Sequence, residues 1–221
     1  MISYAFEFEA GVSRIEPNFN PRRKESMSVL LIAGSPSARS RSQALLDSVG
    51  HRLQRRGAEV GSVLVRELTP RALLLADVSE ASIAAAAEQV AQASAIVVAT
   101  PVYKAAYSGL LKVFLDLLPQ TALKGKTVLP LATGGSPHHM LALDYTLRPV
   151  LQSLAARHIL PGVYATDAQI TVTPEGAYQV NPEISDRLDD AVGLLLAEAY
   201  ERSSPQADFE PIPFAQVRCS V

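Results

Sequence analysis

Three short stretches of the 221-residue chain carry residue types suited to holding a ligand. The first, AGSPSARSRSQALL over residues 33–46, offers the hydroxyls of Ser35, Ser37, Ser40 and Ser42 together with Arg39, Arg41 and Gln43. It follows an apolar run and opens an amphipathic helix, so free backbone N–H groups and the positive end of a helix dipole face whatever occupies the loop. Hydroxyls, guanidinium groups and free N–H donors together suit a dianionic phosphate monoester. The second stretch, TPVYKAAYSGLLK over residues 100–112, breaks a strand at Pro101 and then presents Val102, Tyr103, Lys104 and Tyr107. Residues 100–104 offer backbone donors and a flat wall to a ring system, with Lys104 placed near negative charge developing on a reduced ring. The third, ATGGSPHH over residues 132–139, contains Thr133, Gly134, Gly135 and Ser136. Glycine has no Cβ, so a ligand can approach this backbone closely. Singly, each stretch has a plainer reading: helix capping, half-buried turn aromatics, a tight turn.

Their joint placement argues for a site. Apolar runs at 29–33, 60–65, 95–100, 128–133 and 159–165 read as strands. The first is continuously apolar, as expected of a strand covered on both faces. Helical periodicity fills the intervals. Leu45, Val49 and Leu53 share one face after a cap at Ser40 or Ser42, and Gly57 ends that helix. Further helices are expected at 79–93, 108–118, 137–157 and 182–202, and a hairpin at 170–180 around Pro174-Glu175-Gly176. Thr69-Pro70 starts an irregular connection.

Strands alternating with helices predict an α/β fold, a doubly wound five-stranded parallel sheet in one domain over residues 27–202. The flavodoxin-like order 2-1-3-4-5 puts a ligand crevice at the carboxyl ends of strands one, three and four. Those ends carry the three stretches. Residues 1–26 read as a flexible lead-in or, because Met27 directly precedes the first strand, as a start-site artefact. Residues 203–221 read as a tail.

Composition narrows the classes. The chain is 48% hydrophobic and 19% charged, which suits a folded domain rather than a disordered one. A net charge of −2 with scattered arginines argues against a nucleic-acid surface. One cysteine, Cys219, cannot form an internal disulfide, and no apolar stretch is long enough to span a bilayer. Glu7 and Glu9 fall where a signal peptide would be apolar, so a cytoplasmic protein is expected.

Other motifs fail on frame. Gly125-Lys126-Thr127 precedes a strand instead of following one, and Gln120 stands where a P-loop needs glycine. Ala106 removes the frame of a nucleophile elbow at Ser108. His138 and His139, being adjacent, diverge on a helix and make a poor metal pair.

The fourth helix contains a conflict. Pro149 has no N–H for the carbonyl of Tyr145, and its ring crowds that carbonyl. A one-residue π-bulge near Tyr145 would relieve it. The alternative is a plain proline kink with Tyr145 in the core.

On the blocks AGSPSARSRSQALL, VVATPVYKAAYSGLLKVFLDLLP and LPLATGGSPHHMLALDYTLRPVL, the sequence resembles the NADPH-dependent FMN reductases over about residues 28–200. It most resembles the alkanesulfonate-type enzymes that supply reduced FMN to a separate monooxygenase. The resemblance implies FMN and a nicotinamide donor, NADPH with NADH as the other possibility. It also implies a flavin-dependent monooxygenase partner and a homodimer or homotetramer. Carried over, the FMN-phosphate loop falls on Ser35, Arg39, Ser40, Ser42 and Gln43. The ring-contacting turn falls on Pro101, Val102, Tyr103 and Lys104, and the second flavin-side turn on Thr133, Gly134, Gly135 and Ser136. The resemblance also gives Tyr145 the place of an inserted tyrosine linked to tetramer packing and flavin release. Two rivals remain: a reductase of quinones, azo dyes or metal oxyanions with tightly held FMN, and a flavodoxin-like electron carrier. The carrier fits less well, since the chain lacks a strongly acidic balance for docking basic partners.

Overall fold

The computed structural model describes residues 27–203 apart from residue 175; the expected lead-in, and the expected tail beyond Ser203, lie outside the described residues. Strands β1 (Ser28–Ala33), β2 (Glu59–Leu64) and β3 (Ala95–Tyr103) pair in parallel, with β1 in the middle. Strand β4 (Ala106–Tyr107) folds back antiparallel on the end of β3, and β5 (Thr127–Gly134) pairs in parallel with β3 on its other side. Two short strands, β6 (His158–Ile159) and β7 (Val163–Thr166), both pair in parallel with β5. The order β2-β1-β3-β5 followed by β6 and β7 is the expected doubly wound one.

Alternation along the strands builds two cores. Leu30 and Ile32 of β1 face one side with Ile96 and Val98 of β3, where α3 (Ala81–Gln92) and α4 (Gly109–Leu115) supply Ile83, Val90, Leu111 and Phe114. Val29, Leu31 and Ala33 face the other side, against Leu45, Val49 and Leu53 of α1 (Arg41–Arg55) and Ile184, Leu188, Val192 and Leu195 of α6 (Pro182–Ser203). A strand buried on both faces needs no polar alternate, which is why β1 reads as one apolar run. The 170–180 segment is the expected hairpin, β8 (Ile170–Val172) with β9 (Tyr178–Val180).

Four details depart from expectation. Pro101 does not break the third strand: β3 runs through it to Tyr103, in register with Thr133 of β5. Ala99 offers its carbonyl to Gly34 on the β1 side, and Pro101, two residues on, faces that same side beyond the end of β1. Its missing N–H therefore costs no ladder bond. The fifth strand is split. Val128 accepts from Leu160 N–H, while Pro130, facing the same way, has no N–H to return to the interrupted chain opposite. The Leu160 carbonyl is taken by the Arg148 guanidinium instead, at 3.3 Å.

The expected 137–157 helix becomes three pieces: a 3₁₀ turn at Pro137–Leu141, a π-helical turn at Leu143–Leu147 and α5 (Arg148–Ser153). It ends early because Ala155 adopts a left-handed φ of 66°. Finally, the connection after Thr69 contains a short helix, α2 (Pro70–Leu75), with proline at its first turn and Ala76 left-handed behind it.

Gly162, in the break between β6 and β7, is there for space. A Cβ would fall 2.7 Å from Leu143 Cδ1 and 3.0 Å from the Pro130 carbonyl oxygen. Gly162→Ala should lower unfolding free energy by about 1–3 kcal/mol, as for other overpacked cores, when measured by chemical denaturation.

Candidate active site

The first loop ends in an N-terminus prepared for negative charge. Ser40 caps α1, its Oγ accepting from Gln43 N–H at 3.1 Å, and the first turn contains no acidic residue. Ser42 is buried, with its Oγ 3.3 Å from that of Ser40. Ser35 is also buried and accepts from Ser37 N–H at 3.2 Å, which curls residues 35–37 around the helix end. The amide of Gln43 turns away from the loop: Nε2 donates to Asp47 and Oε1 accepts from Arg66. Arg41 is drawn off as well, donating to the Ile170 carbonyl at 3.0 Å and lying 3.7 Å from Asp167. Arg39 stays exposed and forms no hydrogen bond or ion pair with the described residues.

Gly34 joins this loop to the next strand end. Its N–H donates to Ala99 at 2.8 Å, and its carbonyl accepts from Ser108 Oγ at 2.5 Å. A Cβ here would fall 2.8 Å from Leu111 Cβ, so only glycine fits. Ser108 also donates its N–H to Thr100 Oγ1 at 2.9 Å and accepts from Leu111 N–H as the cap of α4. Thr100 and Ser108 are both buried. Sequence reasoning weighs Ser108 only as a nucleophile; its place as a cap after a turn is the signal for this second role.

The second loop is a two-residue hairpin turn. Val102 pairs with Tyr107 and Tyr103 with Ala106, while Lys104 and Ala105 between them have φ of 50° and 63°. Two successive left-handed residues suit the twist of a hairpin, yet neither is glycine or asparagine. Each costs about 1–2 kcal/mol relative to a right-handed conformation. Strain of this kind collects where a side chain must be presented. Lys104 is the side chain presented, exposed and without an ion pair among the described residues.

The third loop closes against the second. A Cβ on Gly134 would lie 3.4 Å from Val102 Cβ and 2.7 Å from the Tyr164 hydroxyl. Thr133 beside it is buried. Gly135 opens outward, its nearest neighbour in the Cβ direction being Asp167 Oδ2 at 3.8 Å, so bare backbone faces the crevice. Ser136 caps the 3₁₀ turn through His138 N–H, and its carbonyl accepts from Tyr164 OH at 2.6 Å. Burial, with Asp167 nearby, raises the Tyr164 phenol above its ordinary pKa, so it remains a donor at neutral pH. Tyr164 is not legible as a site residue in the sequence, because nothing in its strand shows where the hydroxyl points.

The π-helical turn borders the crevice. Arg148 N–H reaches back five residues to Leu143 O, the longer ring that accommodates Pro149. Tyr145 is 75% exposed rather than in the core, and Met140 and Leu141 beside it are exposed too. Among the described residues no cluster of His, Cys, Asp and Glu could hold a metal, and no helix is long and apolar enough to cross a membrane.

The sheet order and the three converged loops define a flavodoxin-like, mononucleotide-binding α/β protein. The donor set fits FMN: hydroxyls and a helix end for the phosphate, a cation and open backbone for the ring. Comparison with known proteins agrees. A family model for NADPH-dependent FMN reductase matches residues 27–171. An FMN reductase (NADPH) of Escherichia coli (strain K12) is 46% identical over 176 residues, covering 80% of this chain and 92% of that protein. An FMN reductase (NADPH) of Pseudomonas putida KT2440 is 44% identical over 183 residues, covering 82% and 92%. The apo structure of an NADH:FMN oxidoreductase (EMOB) superposes with a TM-score of 0.71 at 41% identity, covering 81% of this chain and 92% of that one. The chain belongs to the NADPH-dependent FMN reductase family, an oxidoreductase that works with FMN and a reduced nicotinamide dinucleotide.

Two substitutions test this construction. Ser108→Ala removes the donor to the buried Gly34 carbonyl and should lower stability by about 1–3 kcal/mol by denaturant titration while weakening FMN binding. Ala105→Gly relieves one left-handed residue and should raise stability by about 1 kcal/mol in the same measurement.

Proposed function

We propose that this enzyme takes up oxidised FMN, reduces it with NADPH and releases the product to a flavin-dependent monooxygenase of the alkanesulfonate-cleaving type. The observation carrying the reading is the convergence of three strand-end loops on one crevice, beside a π-helical turn that leaves Tyr145 outside the core.

In this reading Ser35, Ser40, Ser42 and the first N–H groups of α1 hold the phosphate, with no acidic residue in the first turn of that helix. Pro101, Val102, Tyr103 and Lys104 line one edge of the ring, and Thr133, Gly134, Gly135 and Ser136 the other. The flavin, when bound, accepts a hydride from the reduced nicotinamide. That step asks the protein for orientation and charge stabilisation rather than a side-chain acid or base, and no such dyad lies in the crevice among the described residues. Lys104, held out by its strained turn, stabilises negative charge gathering at the ring edge. The Escherichia coli and Pseudomonas putida relatives, both FMN reductases (NADPH), favour NADPH; the NADH:FMN oxidoreductase EMOB keeps NADH in view.

Release is the second half of the proposal. The exposed apolar side chains Tyr103, Met140, Leu141 and Tyr145 form a rim suited to a second copy of the chain, which fits a homodimer or homotetramer. A chain with a single cysteine fits the reducing cytoplasm.

NADPH oxidation with and without added FMN tests the whole. A protein that purifies nearly colourless and oxidises NADPH only when FMN is added supports release. A yellow protein whose rate ignores added FMN is instead a tight-binding reductase, and a yellow protein with no rate is a carrier. Tyr145→Ala should retain more FMN through purification. Unchanged flavin content together with unchanged oligomer size would overturn the part assigned to that residue.

A further inference from the structure

A dinucleotide that carries its nicotinamide to the flavin must also dock its adenosine end, and a 2′-phosphate there requires a cation free of internal partners. The basic side chains around the first loop sort cleanly on that criterion. Arg41 is held by Asp167 and the Ile170 carbonyl. Arg52 is held by Asp189, Ser48 and Ser185, and Arg66 by Glu67 and Gln43. Lys104 belongs to the ring edge. Arg39 is left, exposed and without a hydrogen bond or ion pair among the described residues.

Arg39 also stands at the mouth of a groove. Between α1 and the β8–β9 hairpin lies a space of about 550 Å³, lined by Arg39, Gln43, Asp47, His51 and Tyr178 among others. This is the size range of small-molecule sites. Facing Arg39 on the hairpin is Gly176, where a Cβ would be 3.8 Å from Nη1. The Asp47 carboxylate, with Oδ1 held by Gln43 Nε2 at 2.8 Å, lies in the same groove. Seven residues along α1 from Ser40, it is about 10 Å from the loop, roughly the length of an adenosine phosphate. A phosphate at Arg39 is therefore clear of Asp47, whose carboxylate is placed for the exocyclic amino group of an adenine. The half-buried Tyr178 on β9 gives the base a flat wall.

We infer that this groove takes the adenosine 2′-phosphate end of NADPH and that Arg39 reads the phosphate, which makes it the residue that separates NADPH from NADH. The inference rests on the FMN-reductase reading above and moves Arg39 from the flavin phosphate to the dinucleotide. The Ser hydroxyls and helix end can hold the flavin phosphate without it.

The test has a kinetic arm and a binding arm, both on the full chain. Arg39→Gln should lower kcat/KM for NADPH about tenfold or more while changing that for NADH, and the KM for FMN, by less than about twofold. Arg39→Lys, which keeps the charge and loses the fork, should fall between. In calorimetric titration the unaltered protein should bind 2′,5′-ADP more tightly than 5′-AMP, and Arg39→Gln should erase the difference. A parallel rise in the FMN KM would return Arg39 to the flavin phosphate and overturn the inference, as would an unchanged NADPH to NADH ratio. Equal binding of the two adenosine phosphates by the unaltered protein would overturn it as well. If the unaltered protein oxidises no NADPH with FMN present, the reductase reading fails separately, and the 2′,5′-ADP titration still decides the groove.

Discussion

The crevice depends on one buried junction of neutral hydrogen bonds. Gly34 is held from two sides, by the Ala99 carbonyl and by Ser108, and Ser108 is held in turn by Thr100. These contacts fix the ends of β1 and β3 and the start of α4 to one another, away from water, where a lost partner is costly. Every ligand-facing feature of the first two loops is referred to that point. The Ser35–Ser42 curl starts one residue after Gly34, and the strained Lys104-Ala105 turn lies between Thr100 and Ser108. The enzyme thus places a buried, fully paired junction directly beneath its ligand-facing loops.

The third loop is supported differently. Tyr164 reaches across from β7 to the Ser136 carbonyl, and the absence of a Cβ at Gly134 leaves room for its hydroxyl. Gly135 next to it is open. Adjacent glycines therefore have opposite reasons for being there, one admitting a neighbour from within and the other leaving backbone bare to the crevice.

Much of this was legible in advance because it is written in periodicity. The doubly apolar strands 29–33, 95–100 and 128–133 set the sheet order, and the order placed the three polar loops together. Pro149 set against Tyr145 made a π turn readable from two residues. What stayed hidden was contextual. Whether Pro101 ends a strand depends on where its neighbour β1 stops, and whether the fifth strand is continuous depends on Pro130 in the strand beside it. Gln43 and Arg41 are of the right type for a phosphate, yet Asp47, Arg66, Asp167 and the Ile170 carbonyl claim them through contacts that spacing does not encode. The buried role of Tyr164 was invisible for the same reason, and that of Ser108 was legible only as far as its place before a helix.

Arg148 ties the π-helical turn to the outer border of the sheet. It pairs with Asp144 inside that turn and donates to the carbonyls of Ile159 and Leu160 at the broken edge strand. An open strand border is a template on which another chain can add, and a charged group laid over its carbonyls is a standard protection against that. The π-helical turn is thus fastened, through this one side chain, to the last strand of the sheet. Loss of the Arg148 guanidinium would bare those carbonyls at the sheet border, so the side chain that braces the π turn also bears on solubility.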